Sequence, residues 1–173
     1  MHGTKRMAIA GLVALLGAFA FAFTAHGDGG KGHDAETHDA QVGSLRSTLA
    51  PSQPTDPAFH ALPPGGAPWS LEEGTARLRS NGKLKVEVEG LILTTLGNAG
   101  PITGIAGSVF CGADSVTTPA ATTAIFPLSS SGDGEIEAHV TLPSTCLAPL
   151  VVVQPARGTT LLQAYIAIDG FRP

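Results

Sequence analysis

The sequence predicts an all-β fold: a two-sheet antiparallel β-sandwich of about seven short strands behind a disordered N-terminal tail. Alternation carries most of that expectation. In Lys83-Leu84-Lys85-Val86-Glu87-Val88-Glu89 the apolar Leu84, Val86 and Val88 fall on one face of a pleated strand and the charged residues on the other. The stretch Glu135-Ile136-Glu137-Ala138-His139-Val140-Thr141-Leu142 repeats the pattern. After Trp69, moreover, no apolar stripe follows the 3.6-residue period of a helix, and Gly, Pro, Asn, Asp and Ser break the chain into short runs.

Taken in chain order, residues 1–27 read as a secretory signal. Lys5 and Arg6 precede a charge-free apolar run over 8–23, which is followed by Ala25-His26-Gly27, with cleavage expected after Gly27. The run is shorter than the roughly 20 residues needed to span a bilayer. The mature chain is therefore expected to be released, with no transmembrane segment. Loss of Lys5 and Arg6 takes the formal net charge from −4 to −6, which argues against nucleic acid as a partner, since that binding relies on Lys and Arg neutralising phosphates.

Residues 28–68 read as a flexible polar and Pro/Gly linker, ending in Pro63-Pro64-Gly65-Gly66-Ala67-Pro68. Within it Val42, Leu45 and Leu49 permit a short, marginal helix around 39–49. The β-sandwich domain is placed at 69–173. Besides the two alternating strands, it is expected to hold strands at 74–79, 105–111, 121–128, 150–153 and 161–168.

The turn at 80–82 can be read more closely. A two-residue Asn81-Gly82 hairpin would pair Leu78 with Lys85 and join opposite faces. A three-residue loop with Gly82 in the left-handed region pairs Leu78 with Leu84 and Ala76 with Val86. That register sets Arg79 opposite Lys83 and Arg77 opposite Lys85, four cations on one outward face. Either nearby acids (Glu72, Glu73, Glu87, Glu89) neutralise them or the patch meets an anionic partner.

Cys111 and Cys146 are the two cysteines of the chain, and in an exported protein they are expected to form one disulfide. Signs of catalysis are sparse. His139 with Glu137 and Glu135 forms a carboxylate–imidazole run on one strand face, equally the pattern of an ordinary solvated strand. Glu87/Glu89 and Glu135/Glu137 lack the aromatic-lined cleft of a glycosidase. Residues 100–107 lack the Gly-Lys-Ser/Thr ending of a phosphate loop, and no cofactor is expected. In the tail, His-Asp-Ala occurs twice, at 33–35 and 38–40, so His33 and His38 form a loose candidate for a divalent metal.

The run Gly65-Gly66-Ala67-Pro68-Trp69, the strand pair over 78–93, the stretch from Leu128-Ser129-Ser130 to Cys146-Leu147-Ala148-Pro149, and the closing Ala164-Tyr165-Ile166-Ala167-Ile168-Asp169-Gly170-Phe171 together give a pattern. It resembles that of small secreted proteins from high-GC, actinobacteria-like bacteria, over roughly residues 65–173. The resemblance is one of general pattern and implies no catalytic or binding residue. The expectation is thus a secreted, non-enzymatic β-sandwich module that binds an extracellular partner or surface, or builds the envelope. The alternatives are an extracytoplasmic enzyme centred on His139 and Glu137, and a weak metal binder using His33 and His38.

Overall fold

The computed structural model describes residues 43–172. The expected signal at 1–27 and the histidine pair His33/His38 lie outside the described residues.

Strands β3 (Glu73–Arg79) and β4 (Lys83–Glu89) form the expected hairpin, with Leu78 opposite Leu84, Ala76 opposite Val86 and Arg77 opposite Lys85. Gly82 adopts φ +89°, and a Cβ there would lie 2.0 Å from the Val140 carbonyl oxygen, so only glycine fits this loop. Strand β9 (Gly134–His139) pairs with β4, keeping Ile136 opposite Val86.

Strand β1 (Ser44–Pro51) lies on the other side of β3. This corrects two expectations, since the segment is neither a tether nor a helix. Leu45 and Leu49 satisfy a two-residue period as readily as a helical one, with Ser44, Arg46 and Thr48 exposed between more buried positions. Pairing with β3, remote in sequence, selects the strand. Over 44–48 β1 pairs with β3, and over 49–51 it pairs with β12 (Ala167–Asp169).

From β12 the sheet continues through β10 (Leu150–Arg157) to β6 (Gly104–Phe110). Strand β6 also carries β7 (Ala121–Thr122) and β8 (Phe126–Pro127), and β11 (Thr160–Leu161) folds back on the end of β10. The result is a single ten-stranded sheet with antiparallel ladders, and β2 (Trp69–Ser70) pairs separately with β5 (Ile92–Leu93).

The architecture is all-β, and among the described residues there is no helix, hence none long and apolar enough to cross a membrane. In place of two separate sheets, one large sheet curls so that its leaves face each other and share β1. A Cβ on Gly107 of β6 would lie 3.1 Å from Leu84 and 3.6 Å from Ile136 on the opposite leaf. The curl is pinned at one end by a bridge between Leu128 and Gly134.

Leu84, Val86, Ile105, Val109, Ile136 and Val151 are fully buried between the leaves. Each contributes about 1.5–3 kcal/mol by leaving water. A second cluster lies on the outer side of β6, β10 and β12, where Phe110, Val152 and Ile168 pack with Leu62 and Tyr165. Its cover comes from residues 52–66, expected as linker. The Tyr165 hydroxyl donates to the Pro57 carbonyl (2.9 Å), Ser52 N–H donates to Ile166 O (2.9 Å), and Phe59 and Leu62 exchange backbone hydrogen bonds. The prolines of this stretch leave it ordered, three of the four (Pro54, Pro57 and Pro63) being exposed.

Candidate anion-binding face and adjoining cleft

The outward face of β1, β3, β4 and β9 presents its side chains in rows. One row crosses four strands as Arg46, Arg77, Lys85 and Glu137, and the next as Thr48, Thr75, Glu87 and Glu135. The four cations expected as a patch divide into two kinds. Both lysines are neutralised: Lys83 Nζ lies 2.7 Å from Glu137, and Lys85 Nζ lies 2.8 Å from Glu87 and 3.1 Å from Glu135. Hydrogen bonding to Glu87 and Glu135 holds the Lys85 ammonium above its ordinary pKa, while the lysine partners hold Glu87 and Glu137 below theirs.

The arginines differ. Arg77 feels Glu87 at a distance, but Arg79 forms no ion pair with a described residue. Arg46, outside the expected patch, is exposed, stands directly opposite Arg77 and likewise forms no such pair. The alternation Leu45-Arg46-Ser47-Thr48-Leu49 was the available signal, hidden by the linker composition around it. Like charges in directly opposed strand positions destabilise a sheet, so the Arg46–Arg77 juxtaposition costs stability. Guanidinium groups stay charged at any physiological pH and offer a planar fork of donors to carboxylate, phosphate or sulfate.

Beside this row the curled sheet leaves an opening. Strand β12 ends at Asp169, whose carboxylate continues the connection, accepting from Ser47 Oγ (2.9 Å) and from Val151 N–H (3.1 Å). Burial pushes the Asp169 pKa up, and these two hydrogen bonds oppose the shift. The loop over residues 142–149 forms a wall here, tied to the end of β6 by the Cys111–Cys146 disulfide, whose Cα atoms are 5.0 Å apart. Between that loop, the start of β1 and the β3–β4 turn lies a cleft of about 510 Å³. Leu45, Leu78, Leu142 and Pro149 give it apolar walls, and Arg79, Ser44, Ser80 and Ser144 supply the polar groups.

The remaining candidates do not assemble into a reactive set. His139 is exposed on β9 opposite Lys83, while its expected partner Glu137 is engaged by Lys83 and Glu135 by Lys85. His60, which the sequence reading did not single out, is buried and stacks on Phe110 with ring centres 4.5 Å apart. Its Nδ1 lies 2.7 Å from the Val116 carbonyl; a carbonyl only accepts, so Nδ1 carries the proton. His60 and Ala61 both have positive φ, the requirement of a tight two-residue turn, and the ring fastens that turn to the loop after β6. No group of three or more His, Cys, Asp or Glu among the described residues is placed to hold a metal ion. The arrangement offers recognition: an arginine row running up to the mouth of an apolar cleft. Compared with protein-family models, with curated proteins and with solved structures, the chain matches none of them.

Proposed function

We propose that this protein is a secreted, non-enzymatic β-module that binds an anionic ligand outside the cell, using Arg46, Arg77 and Arg79. The observation that carries this reading is Arg46 directly opposite Arg77 on an exposed sheet face, with Arg46 and Arg79 lacking acidic partners among the described residues. A ligand carboxylate, phosphate or sulfate would relieve the repulsion within the row and gain charge-assisted hydrogen bonds. Export is supported by the signal-like segment at 1–27 and by the disulfide, which suits an oxidising compartment.

Calorimetric titration with inorganic tripolyphosphate tests the reading. Binding is expected to weaken as salt is raised, and to fall at least about tenfold in the Arg46→Gln/Arg79→Gln variant, each lost charged hydrogen bond being worth about 1.5–3 kcal/mol. Equal affinity in the variant and the parent would remove the arginine row as the site.

A further inference from the structure

The arginine row has apolar neighbours on one side only, at the cleft mouth. Arg79 adjoins both features: on β3 it stands two residues beyond Arg77, opposite Ser44, and it lines the cleft beside Leu78. Leu78 is buried, Leu45 and Leu142 are half-buried, and Pro143 is exposed, so the walls are oily from floor to rim. The volume, about 510 Å³, falls within the roughly 300–1,000 Å³ of small-molecule sites.

An anion alone would have no use for these walls, and an uncharged hydrocarbon none for Arg79. We infer that the cleft takes an amphiphile, a single alkyl or acyl chain ending in an anionic group. Its chain lies along Leu45, Leu78, Leu142 and Pro149, and its head group meets Arg79 at the rim, with Arg46 and Arg77 beyond. This inference rests on the arginine-row reading and adds the apolar half of the ligand. The cleft wall that carries Leu142 and Pro149 is stapled through Cys146, so the same disulfide that stabilises the fold holds the binding wall in place.

The test is a chain-length series measured by calorimetry on the full-length chain as its host processes it, with methyl, butyl and octyl phosphate and with octanol, all below their micellar concentrations. Affinity is expected to rise about two- to fourfold per added methylene, at least about a hundredfold between methyl and octyl phosphate. Arg79→Gln should weaken octyl phosphate at least about tenfold and leave octanol unchanged. Leu142→Asp should flatten the length dependence. If methyl and octyl phosphate bind equally, the amphiphile is wrong and the arginine row stands. If octanol matches octyl phosphate, the cleft binds hydrocarbon and the arginine row falls. Absence of binding by every compound overturns both. The series on the unaltered protein decides these outcomes even if Leu142→Asp fails to fold.

Discussion

The two leaves of the curled sheet are built differently. The leaf of β1, β3, β4 and β9 keeps one face wet: along β4 each buried residue is followed by a charged one, and the lysines are paired with glutamates of the same face. The leaf of β6, β10 and β12 is covered on both sides, every residue of β6 being buried. A half-wet strand records its environment in its own sequence, because each side chain must suit either water or core. A strand covered on both faces records only that it is apolar, and the identity of its cover is written elsewhere in the chain. Here the cover is the Pro-rich stretch 52–66, clamped by Tyr165, whose ring packs edge-on against Phe59 at 5.9 Å.

The sharpest way to break this comparison is to remove the clamp. Tyr165 is fully buried, so Tyr165→Ala should cost about 3–5 kcal/mol. Hydrogen exchange should accelerate first in residues 52–66 while β3 and β4 stay protected. If exchange rises equally in both leaves, the cover and the curled sheet form one cooperative unit. Next in size is the disulfide. Its cysteines lie 35 residues apart, and removing the crosslink should cost about 3–4 kcal/mol and lower Tm by about 10 °C. A melting curve unchanged by complete reduction would show that packing alone holds the 142–149 wall.

The contrast also explains what the sequence disclosed. The β3–β4 register, the Gly82 loop and the alternation of β9 were legible because they rest on local pattern and on a turn a few residues long. The disulfide followed from cysteine count and expected compartment. Strand β1 was not legible, because Ser44-Leu45-Arg46-Ser47-Thr48-Leu49 becomes a strand only through partners 27 and more residues away. Arg46 lies on this strand, so its place opposite Arg77 was equally out of reach of local pattern. The cleft was out of reach for a similar reason: its walls come from residues 43–45, 78–80 and 142–149, which no spacing rule connects.

The smallest expected effects concern protons, and they fall at both ends of the pH scale. Tyr165 is the sole tyrosine, so absorbance at 295 nm reports it alone. Burial, aided by the Asp56 carboxylate and opposed by Arg172, pushes its pKa up to about 12. The folded chain therefore keeps a proton that the unfolded chain releases near pH 10. Stability from this source is whole below about pH 10 and falls as pH climbs towards 12. On the wet leaf, Glu87 and Glu137 are held below the ordinary carboxylate range by their lysines, so their contribution is present above that range and fades as pH drops through the lowered values. These groups are solvent-exposed, and the acid-side loss should move Tm by no more than about a degree or two. Asp169, raised by burial, works in the opposite sense there, since its protonated form suits the fold. Following Tm and absorbance from pH 3 to 12 should show a shallow acid limb and a steeper alkaline one. A tyrosine midpoint near 10 would mean that the phenol reaches water, and that the Pro-rich cover opens far more readily than the sheet beneath it.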